Sequence, residues 1–214
     1  YAGYTARVQH VKIEDMDLFH TLWEPGTYGI DIFNAGYIYV GNVRVRRTHR
    51  AIAMTALSET TLFRCDLASG TYGLWFGHDT TGNGDVGGVT VLDCNIGSQL
   101  KACVAAHYFR ELHFIGGFYG TRVTNAVATV WLSGLSPLTC GVISFRDIGM
   151  ETTQLSTVPV LKIGSDGSEG VYSDPTYPLN TYTNTQVAMT QVVVDNVTMS
   201  YCSFTNTVLI AGAN

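Results

Sequence analysis

The stretch RVRRTHRAIAMTALSETTLFRCDLASGTYGLWFG, residues 44–77, decides the fold. Its apolar residues alternate as they do in strands, yet it holds no helix-length apolar face and no Asn-Gly hairpin turn. Its strands must therefore find partners elsewhere in the chain. Within it lies LFRCDL (62–67), and six other stretches share that pattern: VKIEDMDL (11–18), VGNVRV (40–45), VLDCNI (91–96), FIGGFY (114–119), FRDIGM (145–150) and VDNVTM (194–199). The third column of this alignment, which takes VKIEDMDL from Ile13 onward, holds Asp15, Asn42, Arg64, Asp93, Gly116, Asp147 and Asn196. Apart from Arg64 these are Asp, Asn or Gly, the residue types that tolerate a left-handed or tightly bent backbone.

A second element follows each bend. It begins with a small residue and then alternates, as in AIAM (51–54), GLWF (73–76), ACVA (102–105), AVAT (126–129) and TVLI (207–210), with GIDI (29–32) after a longer connection and VPVLKI (158–163) as a looser fit. From Asn42, Arg64 and Asp93 the offset to the small residue is nine each time. The bend column itself recurs after 27, 22, 29, 23, 31 and 49 residues. One short strand, a bend, a second strand, a turn and a third strand fill the shortest interval, which is one coil of a parallel β-helix. Each strand would then pair with its equivalent in the next coil, about 4.8 Å away, with no hairpin required. The expected fold is all-β: a right-handed, single-stranded parallel β-helix of about seven coils occupying residues 1–214 as one domain, the hand following the general rule for parallel connections. An antiparallel sandwich would instead carry hairpin signals every 8–12 residues. The longer intervals place loops at 77–88, 132–140 and 164–190, all leaving the coil at one corner, where function commonly gathers. Both ends read as mid-fold sequence, so the chain is expected to be an excerpt of a longer protein.

Composition agrees with strands and turns. Apolar residues make up 46% of the chain and charged residues 14%, with 23 Gly and 12 Tyr; about a quarter charged is usual for a globular domain. Net charge is −5 and no basic run appears, which argues against nucleic acid as a partner. No apolar stretch approaches the roughly 18 residues of a membrane span, so no membrane insertion is expected. The five cysteines form no CxxC and no His/Cys cluster, so they read as buried free thiols and no metal is expected. Cys65 and Cys94 each follow the bend and should face the bore in successive coils.

The repeat resembles the pectate-lyase-like superfamily of right-handed β-helices. Within it, the irregular coils and the Gly/Thr/Tyr-rich, acid-poor texture look most like the central domain of bacteriophage tailspikes and capsule depolymerases. The resemblance implies a homotrimer on a virion tail, extracellular, that binds and commonly cleaves bacterial surface polysaccharide. The Asn-Thr-Asp pattern of polygalacturonases is absent, as are the calcium aspartates and Arg-x-Pro-x-x-Arg of pectate lyases, so neither pectin chemistry nor a cofactor carries over.

Glycoside hydrolysis requires two carboxyl groups flanking the bond. Asp15, Asp93 and Asp147 belong to the bends, where they serve the backbone; Asp17 and Asp66 face out two places later and read as surface. Asp31 stands apart. In YGIDIFN it is the outward residue of the small-residue strand, where the other coils place Ala53, Trp75, Val104, Ala128 and Leu209. Desolvation in an apolar column would raise its pKa and suit it to act as a general acid; relatives with Asp in a Gly-apolar-Asp-apolar setting point the same way. The alternative is a structural carboxylate paired with Arg50 or a neighbouring subunit. Candidates for the second carboxylate are Asp79 and Glu24. Tyr28, Arg50, Tyr72, Lys101 and Asn125 precede the small residues and would form a polar and aromatic stripe beside Asp31, with Trp75 and His78 near it, suited to the apolar face and polar rim of a sugar. The other histidines read as structural or surface. The remaining apolar members of the outward column need cover, from another copy or a flanking segment.

The leading expectation is therefore a tailspike-type receptor-binding protein that cleaves a surface glycan, by hydrolysis with Asp31 as acid, or less readily as a lyase. Its rivals are a non-catalytic tail-fibre module and a secreted bacterial adhesin on the same repeat.

Overall fold

A computed structural model describes residues 8–21, 26–77, 86–97, 99–107, 109–121, 126–132, 140–152, 158–164, 189–200 and 208–210. Among these the chain is all-β, with no helix. The strands are β1 (Val8–Glu14), β2 (Asp17–Phe19), β3 (Tyr28–Gly41), β4 (Arg44–Arg46), β5 (Arg50–Phe63), β6 (Asp66–Ala68), β7 (Tyr72–Gly77), β8 (Val89–Leu92), β9 (Asn95–Gly97) and β10 (Ala102–Ala106). They continue with β11 (Glu111–Ile115), β12 (Phe118–Gly120), β13 (Val130–Leu132), β14 (Cys140–Arg146), β15 (Gly149–Glu151), β16 (Leu161–Ile163), β17 (Met189–Asp195), β18 (Thr198–Ser200) and β19 (Val208–Ile210).

Among the described residues every strand pairing is parallel. The smaller sheet runs β18-β15-β12-β9-β6-β4-β2. The larger runs β17-β14-β11-β8-β5-β7-β10-β13-β16-β19, with β3 joining β5 to β1. Strand β5 lies in the middle of that order because its two ends belong to different arms: Arg50–Thr55 pairs with β7, and Thr60–Phe63 pairs with β8. The larger sheet therefore curls within a continuous strand.

The bend column is present as read. Asp15, Asn42, Arg64, Asp93, Asp147 and Asn196 all have φ between 49° and 55°, and Gly116 has φ 68°. They also stack. The amides of Asp15, Asn42, Arg64, Asp93, Gly116 and Asp147 donate to the carbonyls of Gly41, Phe63, Leu92, Ile115, Arg146 and Asp195, each the residue just before the next member of the column. Side chains reinforce two steps: Asn42 Nδ2 donates to Asp15 Oδ1 at 3.2 Å, and Asn196 Nδ2 donates to Asp147 Oδ1 at 2.5 Å. Arg64, the exception by type, holds its left-handed backbone while its guanidinium lies 4.8 Å from the Phe63 ring centroid.

The path between bends differs from the expected three separate strands. Strands β3 and β5 run for 14 residues each and turn twice more, at Asn34 and Tyr37 in β3 and at Ala56 and Glu59 in β5, all with positive φ. These corners also stack across the register, Asn34 on Ala56 and Tyr37 on Glu59. A further left-handed pair, Arg47 and Ser69, closes β4 and β6.

Both arms and the smaller sheet face one core. Three files of inward residues fill it: Val40-Leu62-Val91-Phe114-Phe145, Val45-Leu67-Ile96-Tyr119-Met150 and Ile52-Leu74-Val104-Val130-Leu161. The files are continuous because period-two alternation, repeated in register, puts like residues over like. Their contacts thin at the ends of the stack, where Val11, Ile13 and Leu18 on one side and Val192, Val197 and Met199 on the other are only partly buried.

Cys65, Cys94 and Cys103 are buried free thiols, as expected. Cys65 N donates to Cys94 Sγ at 3.3 Å, so the two do stand in adjacent rungs. Burial pushes the Cys103 thiol up to about 12. The Cys65 side chain and burial push Cys94 up as well, and burial raises the Tyr119 phenol. In the unfolded chain Cys103 ionises near its ordinary value, so between about pH 9 and 12 the unfolded state holds fewer protons than the folded one. Stability then falls as pH rises, by up to about 1.4 kcal/mol per pH unit from this one group, and Tyr119 adds to the fall above its ordinary range. Urea titrations from pH 7 to 11 should show a flat midpoint up to about pH 8.5 and a steep decline above it. A midpoint unchanged at pH 11 would contradict the burial of these groups.

Candidate functional site

Asp31 projects from the outer side of β3, and register runs from it through Ala53, Trp75, Ala105, Trp131 and Lys162 to Leu209. Ala53 and Trp75 are where sequence placed them. Val104 and Ala128 are not: Val104 lies on the inner side in the file of Ile52 and Leu74, and Ala105 and Trp131 take the outward places. The register shifts because the step from Asp93 to the residue over Gly73 is ten, ending at Cys103 and not at Ala102. The neighbouring column runs Tyr28, Arg50, Tyr72, Ala102, so Lys101 falls outside it.

These columns do not form an open platform. Arg50 is 0% exposed, Tyr72 and Trp75 2% each, and Tyr28 is half-buried. With Ala53, Ala102, Ala105, Val127, Ala128 and Trp131 they make a second apolar cluster on the outer side of the β5-β7-β10-β13 arm. That arm is buried on both faces, which explains why AIAM, YGLWF and ACVAA read as nearly unbroken apolar runs. Ala53, Trp75, Ala105, Trp131 and Lys162 of this column are already buried within one chain, so they give no separate argument for a trimer.

The cluster has an aromatic and cationic spine. The Arg50 guanidinium lies 3.8 Å from the Trp75 ring centroid and 5.4 Å from that of Tyr28. Tyr72 meets Trp75 edge-on at 4.9 Å. His107 sits between Trp75 and Trp131, at 4.0 and 5.0 Å. Desolvated cation–π contact of this kind is worth about 2 kcal/mol, and here it holds strand against strand. Asp31, by contrast, is exposed, so its position does not supply the desolvation expected of a general acid. Glu24, Asp79, His78 and Asn125 lie outside the described residues, as do most of the three expected loops.

The surface charge gathers elsewhere. An open groove of about 410 Å3 is lined by Asp15, Met16, Asp17, Asn42, Val43, Arg44, Arg64 and Asp66. Strands β2, β4 and β6 build it by placing Asp17, Arg44 and Asp66 in one file on successive rungs. Arg44 reaches both neighbours, Nη1 to Asp17 Oδ2 at 3.3 Å and Nε to Asp66 Oδ2 at 3.5 Å. Asp66 also takes a two-pronged bond from Arg46, at 3.0 and 2.6 Å. By sequence alone, Asp17 and Asp66 read as plain surface. The signal that could have found the groove is the equal spacing of Asp17, Arg44 and Asp66 from the bend residue, two places after each. Among the described residues, no three His, Cys, Asp or Glu side chains gather closely enough to hold a metal ion.

No family model, no curated protein and no solved structure matches this chain.

Proposed function

We propose that the chain is a right-handed, single-stranded parallel β-helix of the tailspike type, and that it binds a bacterial surface polysaccharide along the outer face of its rungs. The carrying observation is the open groove in which Asp17, Arg44 and Asp66 succeed one another rung by rung. A ladder at about 4.8 Å per step presents acceptors and donors at nearly the repeat of linear sugars. Guanidinium and carboxylate groups held by one another are preorganised to meet hydroxyl pairs, at little ordering cost on binding. The right hand, the trimer and the virion location rest on the resemblance of the repeat.

Cleavage is the further step of this reading, with Asp31 as acid and Asp79 or Glu24 as the second carboxylate. The geometry favours a binding module without hydrolysis, because Asp31 is exposed and the Asp17 and Asp66 carboxylates are each engaged by an arginine.

The test is binding and product analysis on a panel of purified capsular and O-antigen polysaccharides. Binding to one of them, weakened at least about tenfold in Arg44→Ala, supports the groove; a tenfold loss corresponds to about 1.4 kcal/mol. New reducing ends that vanish in Asp31→Asn would add hydrolysis. Binding equal in wild type and Arg44→Ala, or none across the panel, overturns the proposal. Loss of binding is separable from misfolding, because circular dichroism and thermal melts of Arg44→Ala read its folding directly. The Asp66–Arg46 pair is about a third exposed, with side-chain exposures of 40% and 29%, so Asp66→Asn should lower stability by less than about 1 kcal/mol. Thermal melts of that variant check this.

A further inference from the structure

On the other arm, register sets His113 of β11 directly beside Ser144 of β14. Glu111 precedes His113 by two residues on the same strand and so shares its face. The three side chains are in contact: His113 Nδ1 lies 2.7 Å from Ser144 Oγ, and His113 Nε2 lies 2.9 Å from Glu111 Oε1. An ionised Glu111 accepts only, so Nε2 carries the proton toward it. Nδ1 is then the acceptor, and the Ser144 hydroxyl donates to it. This is the arrangement that activates a serine: nucleophile on base, base on an orienting carboxylate. The surroundings grade from dry to wet. Ser144 is 4% exposed, while the side chains of His113 and Glu111 are 33% and 58% exposed. Arg146 lies two residues beyond Ser144 on the same strand face, about 7 Å along the strand, and is exposed.

We propose that Ser144, His113 and Glu111 form an esterase site for carboxylic esters with a small acyl group, the narrow access to Ser144 excluding bulky ones. The Ser144 oxygen bonds to the ester carbonyl carbon as its proton passes to His113 Nδ1. The tetrahedral adduct collapses, the carbon–oxygen bond to the alcohol breaks, and the departing alkoxide takes the proton from His113. Water then attacks the acyl-serine and gives a proton to His113, which returns it to Ser144 as the acid leaves. The net reaction is ester plus water to acid plus alcohol, with no other reactant. Glu111 is a positioning residue that fixes the tautomer. The site is independent of the glycan reading, since neither the groove nor Asp31 takes part.

The experiment uses the whole chain with 4-nitrophenyl acetate as substrate and a fluorophosphonate as covalent probe. The expected result is hydrolysis above the buffer rate and probe attachment mapped to Ser144. Ser144→Ala should abolish labelling and lower the rate by at least about 100-fold, and His113→Gln should lose about 10²–10⁴-fold. Glu111→Gln, an exposed change that leaves the fold intact, should lower the rate and move the acid limb of its pH profile. Folding of each variant is read by circular dichroism. Folded wild type that neither hydrolyses the ester above buffer nor takes the probe at Ser144 overturns the proposal, as does a wild-type rate retained by folded Ser144→Ala.

Discussion

Gly117→Ala should unfold or severely destabilise the chain, by at least about 3 kcal/mol. Gly117 follows the bend residue Gly116 and has φ +86°, a region that L side chains rarely adopt. A Cβ there would stand 2.1 Å from the Cys94 carbonyl oxygen and 2.8 Å from the Cys94 nitrogen. Both are backbone atoms of the adjacent rung, and neither can rotate away. That carbonyl is moreover engaged, accepting from Phe118 N at 3.1 Å, while the Gly117 carbonyl accepts from Gly149 N at 3.1 Å. Moving the rung to admit a methyl group breaks the ladder on both sides. Urea unfolding followed by far-ultraviolet circular dichroism checks this. A midpoint within experimental error of wild type would mean that the two rungs are not in contact at this point.

The second large effect is expected from Phe114→Ala, at about 3–5 kcal/mol. Phe114 is 0% exposed and sits mid-file between Val91 and Phe145. Its ring stacks on Phe145 with centroids 5.0 Å apart, and meets Phe76 and Tyr119 edge-on at 6.1 Å each. Phe76 belongs to one arm of the larger sheet and Tyr119 to the smaller sheet, so this one side chain joins all three walls of the core. Its loss leaves a cavity that parallel strands, held by ladders on both sides, cannot collapse to fill. The contrasting surface change is Phe118→Ala, at a side chain 36% exposed, which should cost under about 1 kcal/mol. Equal losses for the two would contradict the inward file.

What sequence could supply follows from which residues carry the structure. The bend column was legible because a left-handed residue there is usually Asp, Asn or Gly, and because a stacked position repeats its type. The corners at Tyr37, Ala56, Glu59, Arg47 and Ser69 were not legible, since none of those types advertises positive φ and each is held by the ladder around it. The single added residue before Cys103 was equally silent: Ala102 and Cys103 are both small, so either could take the place over Gly73. With Ala102 over Gly73, Val104 would fall on the outer face; with Cys103 there, it falls on the inner one. The buried outer cluster is not legible in the sequence for a related reason. Alternation distinguishes two faces only when one of them is polar, and around Trp75 both are apolar. The pairing of His113 with Ser144 lay beyond reach because it depends on register between residues 31 apart.

The central claim is that equivalent residues lie directly over one another on successive rungs, and an engineered cross-link tests it most directly. Asn42 and Arg64 are exposed neighbours in the bend column, the Asn42 amide bonding to the carbonyl of Phe63, just before Arg64. Rungs about 4.8 Å apart fall within the Cα separation that a disulfide spans. The double variant Asn42→Cys, Arg64→Cys should therefore form an intramolecular disulfide on mild oxidation of the folded protein, identified by peptide mapping. The pair Asp15→Cys, Arg64→Cys, two rungs apart, should not. Failure of the adjacent pair to cross-link in folded protein, or equal cross-linking of both pairs, would contradict the stacked register on which the groove and the serine site both depend.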